Sequence, residues 1–352
     1  MLSAGLGGQA FIIGIPGYGK LKAPYLLFLA DVVDIVDAKT AAGIKQWRGE
    51  LCAGQFRLPG CTVDLGLPNL TPAQAVQWGI KTLVVGVAPD GGSVSPTWIP
   101  AIIDALDAGL DVASGLHQTL ASIPAITDAA RRNDCALIEV RQPPNDFKVG
   151  SGEKRSGKRL LTVGTDCAVG KKYTALAIEK LMRTRGIDAE FRATGQTGIF
   201  ISGRGVAIDS VIADFISGAA EWLSPANNPA HWDIIEGQGS LFNPAYAGVT
   251  LGLIHGSQPD AMVVCHDARR TAVMGFERFP IPSYQLCIER YEAAARLTNP
   301  GARVIGISVN TSHLSASDAR TLLDRTALET GLACSDPIRF GVEPIVDQLT
   351  GQ

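Results

Sequence analysis

No apolar run in this 352-residue chain reaches the roughly 18–20 residues that a membrane-spanning helix needs, so no membrane partner is expected. No CxxC pair occurs either. The seven cysteines (52, 61, 135, 167, 265, 287 and 334) are odd in number and scattered, which argues for reduced thiols and against a disulfide frame or zinc site. Charge of one sign is not in excess. A net charge of −3 gives no reason to expect nucleic acid or an anionic surface as a partner. The first residues lack the basic start and small-residue cleavage pattern of a signal peptide, so a soluble, cytoplasmic protein is expected. Also missing is a GxGxxG after the first strand candidate, which ranks an NAD-linked oxidoreductase low.

Glycine, in contrast, is plentiful: 39 residues, many at strand-to-helix junctions, as an α/β protein requires. The length suits two domains rather than one. In the first half, "PYLLFLADV" (24–32), "IKTLVVGVAP" (80–89), "LDVASG" (110–115) and "CALIEVR" (135–141) read as strands. Helices fall at 98–109, with Ile99, Ile102, Ile103 and Leu106 on one face and Gly109 as the stop, and at 124–133. The alternation predicts a parallel, Rossmann-like sheet over 1–145, with 1–20 as an extension. The polar, proline- and glycine-bearing stretch at 146–158 is the expected linker to a second domain at 159–352. There, strands are expected at 159–164, 231–237, 261–268 and 302–310, and a helix, capped by serine or aspartate and closed by glycine, at 315–331.

The stretch "LTVGTDCAVGKKYT" (161–174) runs from a strand through a glycine turn into a helix. Backbone N–H groups across Gly164, Thr165, Asp166, Cys167, Ala168, Val169 and Gly170, with the positive end of the helix, form a cradle for an anion. Lys171 can reach a second phosphate as a point charge. A turn that binds nothing is the competing reading. Where such loops carry the hydroxyl that holds Mg²⁺, this chain has Lys172, followed by Tyr173. An ammonium cannot ligate a metal. The loop therefore suits a ligand whose phosphates are gripped and left intact, as in coenzyme A, and no metal is expected. Cys167 lies within the cradle, where a role as nucleophile competes with plain burial.

"GTDCAVGK" resembles the loop of dethiobiotin synthetases, GTDT-x-VGKT, and "DIIEGQGSL" (233–241) resembles their strand-ending EGAGG. That resemblance implies that Glu236 lies beside the phosphates, with Gln238 and Gly239 near it. "GISVNTSH" (306–313) is similar to a late strand whose asparagine contacts a nucleotide base, here Asn310. A broader resemblance runs through "PYLLFLAD", "AKTAAGIKQWR", "RLPGCTVDLGLP", "GGSVSPTWIP", "GLDVASGLH", "GTDCAVGKKYTAL", "ATGQTGIFISGRGVAIDSVIADFISGAAEWL", "EGQGSL" and "LIHGSQPDAMVVCHD". These segments look like a two-domain family first known only as a conserved domain of unknown function, with a Rossmann-like N-terminal and a P-loop C-terminal domain. Its members are described as D-glutamate N-acetyltransferases. The resemblance implies acetyl-CoA as co-substrate and an amino acid as acceptor; the two-domain layout suggests a site at a domain or subunit junction, and a homo-oligomer is expected.

Three further clusters bear on the chemistry. "TGQTGIFISGRG" (194–205) offers Gln196 and Arg204 to a carboxylate or to the pantetheine arm; it also reads as a plain glycine-rich turn. "HGSQPDAMVVCHDARR" (255–270) holds His255, His266, Asp267 and Arg269 but no ligand pair at helical i, i+4 spacing for a metal. "ASGLHQTL" (113–120) places His117 after a strand, where open sheets bind ligands. Each histidine also reads as structural or solvent-exposed. Glu236, Asp267, His255 and His117 are the candidate general bases, unranked; Gln196, Arg204, Gln238, Arg269 and Arg339 are the candidate substrate contacts. The rivals to acetyl transfer are an ATP-dependent ligase or carboxylase and a non-catalytic nucleotide-binding protein.

Overall fold

The computed structural model describes residues 12–14, 20–142 and 147–351, so most of the expected extension at 1–20 and residue 146 of the expected linker lie outside the described residues. Two compact units are present: Met1–Asn145 with Ile199–Ala207, and Asp146–Gly198 with Ile208–Gln352. Nothing in the composition of 199–207 marks it as part of the first unit.

The first unit is built on β1 (Tyr25–Ala30), six buried residues in a row, as a strand covered on both faces must be. With β2 (Cys52–Arg57), β3 (Thr82–Val85), β4 (Asp111–Ser114) and β5 (Leu137–Glu139) it forms a five-stranded parallel sheet in the order β2-β1-β3-β4-β5. The order reverses beside β1, which makes this a doubly wound, Rossmann-like sheet. Helices α1 (Lys39–Trp47), α2 (Pro72–Gln77), α3 (Ile99–Asp107) and α4 (Pro124–Arg132) connect the strands. α2 starts in a reciprocal capping box between Thr71 and Gln74. α3 buries Ala101, Ile102, Ala105 and Leu106, and the chain leaves through Gly109 at φ +92°. Ile99 and Ile103 flank that face half-buried, because the two alanines let the helix approach the sheet closely.

The second unit runs β6 (Lys158–Gly164), α5 (Lys171–Thr184), β7 (Ala189–Arg192), the first residues of α6 (Gln196–Ser202), which passes into the first unit at Ile199, then α7 (Ile216–Leu223), β8 (Trp232–Ile235), α8 (Ala247–Ser257) and β9 (Ala261–Asp267). A short antiparallel hairpin, β10 (Ala272–Val273) with β11 (Phe276–Pro280), comes next. It is followed by α9 (Tyr284–Ala295), β12 (Arg303–Asn310), α10 (Ala316–Thr330), β13 (Ala333–Ser335) and α11 (Glu343–Thr350). Ser315 caps α10 by accepting from the Asp318 N–H, and Gly331 ends it in the left-handed region. The six parallel strands stand in the order β13-β12-β9-β6-β8-β7. β6 is thus central, with β8 on one side and β9 on the other. Every loop that leaves a strand's carboxyl end opens on the same edge of this sheet, and ligands bind at such edges beside the point where strand order reverses.

Candidate functional site

The loop between β6 and α5 lies at the carboxyl end of that central strand. Ala168 (φ +54°) and Gly170 (φ +101°) both adopt left-handed backbone, turning the chain sharply enough that the first N–H groups of α5 face outward from the strand end. At Gly164 a Cβ would lie 2.8 Å from Val169 Cγ2 and 3.2 Å from Lys171 Nζ, so a side chain there would push the loop open. The Gly164 carbonyl accepts from the Tyr291 hydroxyl at 2.6 Å and the Ser240 hydroxyl at 2.8 Å. The Thr165 N–H donates to the Cys265 carbonyl at 3.0 Å, and its hydroxyl lies 3.0 Å from His266 Nδ1.

Asp166 is fully buried and turned inward. It accepts from Asn243 Nδ2 at 3.0 Å and from the backbone N–H of Met274, at the turn of the β10–β11 hairpin, at 2.7 Å. The carboxylate therefore ties three segments distant in sequence rather than facing the cradle. Lys171 is buried and donates to the Asp166 carbonyl at 2.8 Å, and burial pushes its ammonium below the usual value. Lys172 lies over the Tyr173 ring, 4.6 Å from its centroid. The Thr174 hydroxyl is engaged by the Gly170 carbonyl (3.1 Å) and Ser308 (2.8 Å), so it does not replace the hydroxyl that residue 172 lacks. Burial raises the Cys167 thiol more than Lys171 lowers it, keeping it protonated and a poor nucleophile. The residues present fit a diphosphate: backbone N–H groups and two ammonium groups at one helix start, with no metal-ligating hydroxyl at residue 172.

Glu236 follows β8 directly and is buried next to this loop. Its Oε2 accepts from the N–H groups of Thr194 (3.0 Å) and Gly195 (3.3 Å). A Cβ at Gly198 would collide with the same oxygen, and one at Gly195 would lie 2.7 Å from Gln238 Nε2. Those two glycines let the backbone close around the carboxylate. Burial pushes its pKa up to about 6, against the opposing pull of Lys172, the two backbone donors and Lys171. Gln238 Nε2 donates to the Thr194 hydroxyl at 3.2 Å, and the Thr194 hydroxyl donates to the Glu236 carbonyl at 2.6 Å.

Asp267, Arg269 and Asn310 form a second group at the same edge. Arg269 grips Asp267 with Nε at 3.0 Å and Nη2 at 2.7 Å, and Asn310 Nδ2 donates to it at 3.1 Å. Burial works against ionisation of Asp267, but Arg269 outweighs it and holds the carboxyl below its usual value. An acid so stabilised is a weak base and a firm anchor. Arg339 Nη1 donates to the carbonyls of Thr311 (2.7 Å) and Leu314 (3.1 Å), which makes it a brace for the loop after β12. His255 lies in the last turn of α8, which delivers the chain to the amino end of β9, the edge opposite the loop; its Nε2 is buried with no hydrogen-bond partner. His117 is exposed after β4 of the first unit, and Arg204 also belongs to that unit. By chain position Glu236, Gln196, Gln238, Asp267, Arg269, Asn310 and Arg339 share the loop's strand-end edge, Arg339 in the loop after β13.

Glu190, His231 and Asp233 are close enough to hold a metal ion. Arg192 already lies among them, 2.6 Å from Asp233 and 2.9 Å from Glu190, and the cluster sits toward the amino ends of β7 and β8. Sequence reasoning missed Ser240, Asn243, Tyr291 and the hairpin that carries Met274. Ser240 lies in the quoted EGQGSL stretch without being singled out there, and each of them acts on the loop through a contact made only on folding.

Two family profiles match this chain. One, described as a DUF1611 C-terminal P-loop domain of unknown function, covers residues 148–346; the other, its N-terminal Rossmann-like domain, covers residues 56–143. A D-glutamate N-acetyltransferase of Pseudoalteromonas sp is 50% identical over 94% of this chain and 99% of its own length. Another of that name from Tritonibacter scottomollicae is 46% identical, again over 94% and 99%. A crystal structure of a DUF1611 family protein from Anabaena variabilis superposes with a TM-score of 0.82 at 31% identity, covering 94% of this chain and 100% of that one. The chain belongs to the DUF1611 family, with its Rossmann-like and P-loop domains.

Proposed function

We propose that this DUF1611-family chain is an N-acetyltransferase that moves the acetyl group of acetyl-CoA to the amino nitrogen of D-glutamate. The relatives named for that reaction align over nearly the whole chain, which supports both donor and acceptor. The observation that carries the local reading is the buried Glu236 carboxyl, pushed to about 6 and held by two backbone N–H groups beside the lysine-bearing loop.

Attack on a thioester needs a free amine, so a base must take one proton from the substrate ammonium. Glu236 is ionised at neutral pH, yet its burial makes it more basic than an exposed glutamate. The backbone N–H groups of residues 167–172, with Lys171 and Lys172, hold the CoA diphosphate. Glu236 passes that first proton to solvent; as the amine nitrogen bonds to the acetyl carbon, the carbon–sulfur bond breaks, and the nitrogen's second proton passes through Glu236 to the departing sulfur, leaving the amide N–H. The Gln238 amide, in the same cluster, supplies a donor toward the developing oxyanion. Arg269, with its side chain 58% exposed and its fork fixed by Asp267, is placed to meet a substrate carboxylate.

All seven cysteines are free, which supports a reducing, cytoplasmic setting, and no helix among the described residues is long and apolar enough to cross a membrane. The exposed apolar run Val33, Ile35 and Val36 after β1 supports a subunit contact in a homo-oligomer.

The test is thiol release from acetyl-CoA with a panel of D- and L-amino acids, with and without EDTA. Release that prefers D-glutamate and survives EDTA is the expected result. Hydrolysis of ATP with no thiol released from acetyl-CoA would replace this reading with the ligase one.

A further inference from the structure

Residues 194–198 wrap the Glu236 carboxylate: two of them donate N–H groups to it, and Gly198 packs against Oε2 with no room for a Cβ. Gln196 lies in the middle of that wrap, at the start of α6 and at the carboxyl end of β7. Its Oε1 is shut off from solvent, yet no hydrogen-bond partner meets it. Buried acceptors are rarely left unmet, and one beside the proposed base can be met by a donor that an entering ligand brings.

We propose that Gln196 Oε1 is the acceptor for an N–H of the substrate's amino group. This rests on the acetyl-transfer reading. The base that takes the amine's proton must lie within hydrogen-bond reach of it, and Gln196 belongs to the same five-residue wrap around that base. After Glu236 removes one proton, the amine keeps two N–H bonds. Holding one of them on Gln196 fixes the direction of the nitrogen lone pair, which must point at the acetyl carbon. The arrangement selects primary amines: an acceptor with an alkylated nitrogen has one N–H fewer to share between Gln196 and the base. The neutral amide matters too, because a second carboxylate here would raise the affinity of Glu236 for its proton.

The experiment is steady-state thiol release by the full chain, varying D-glutamate and acetyl-CoA separately, for wild type, Gln196→Leu and Gln196→Glu. Wild-type activity on D-glutamate is established first; its absence defeats the acetyl-transfer reading and not the Gln196 assignment in particular. With activity present, Gln196→Leu should raise KM for D-glutamate roughly tenfold or more while KM for acetyl-CoA stays within about twofold. Its thermal midpoint should hold or rise, since an unmet buried acceptor has been removed. Gln196→Glu keeps the acceptor, so it should bind D-glutamate better than Gln196→Leu, with the acidic limb of its pH profile moved up. An unchanged KM for D-glutamate in Gln196→Leu overturns the assignment. So does a rise confined to acetyl-CoA, which would place the pantetheine amide at Oε1 instead. If Gln196→Leu fails to fold, Gln196→Glu alone decides through its pH profile, and an unshifted profile counts against the assignment.

Discussion

The Lys171 ammonium donates to the carbonyl oxygen of Asp166, five residues earlier, at 2.8 Å, so the lysine folds across the mouth of its own turn. Its charge is thus held at the point where the helix start gathers N–H groups, and burial leaves it poorly solvated. A phosphate that reaches it meets a cation with little water to displace.

Removing that cation should cost the loop its anion. For Lys171→Ala we expect CoA affinity to fall by about tenfold to a hundredfold, the range for one charge-assisted contact, as read by calorimetry. Lys172→Thr restores the hydroxyl of magnesium-binding loops and is expected to bind MgATP more tightly than the wild type does. Unchanged CoA affinity in Lys171→Ala would place the diphosphate elsewhere.

Glu236 gives a pH signature in two observables. Its folded value, about 6, lies above the ordinary 4.5, so the folded chain holds this proton more tightly than the unfolded chain does. The associated stability is fully present below pH 4.5 and is lost as pH rises through about 6, a swing on the order of 2 kcal/mol. Glu236→Gln should flatten that part of the stability–pH curve, measured by denaturant melts. In the same variant kcat should fall by roughly 10²–10⁴-fold, and the acidic limb of kcat/KM near pH 6 should disappear. A variant that keeps that limb would exclude Glu236 as the base.

Two glycines provide a paired control. A methyl at Gly198 meets the Glu236 carboxylate, whereas one at Gly248, in the first turn of α8, meets nothing within 4 Å. Gly198→Ala should therefore lose most of its activity. Gly248→Ala should keep it and gain up to about 1 kcal/mol from the lower backbone entropy of the unfolded chain. Equal effects on activity in the two variants would mean that the wrap around Glu236 is not needed.

Much of the architecture was legible because it is written locally. The strand at 24–32 is a continuous apolar run, and the helix at 315–331 announces both of its ends, through Ser315 and Gly331. The excursion of Ile199–Ala207 into the first unit had no such signal, since it is a matter of which core those residues join. The site divides in the same way. Lys171, Lys172 and Glu236 stand in recognisable stretches, but that Arg339, a candidate substrate contact, braces backbone carbonyls had no local signal. His255 looked like a base by its neighbours in sequence, and α8 carries it to the far edge of the sheet.

The sequence by itself determined the cradle, because a phosphate loop is made from consecutive residues whose φ angles and helix start are local properties. Only the tertiary structure decided how strongly each acid holds its proton. Glu236 owes its raised pKa to desolvation, which outweighs donors 42 and 41 residues away, whereas Asp267 is held low by an arginine two residues on. Solvent exclusion is a property of the packed chain, and no stretch of residues carries it before the chain has folded.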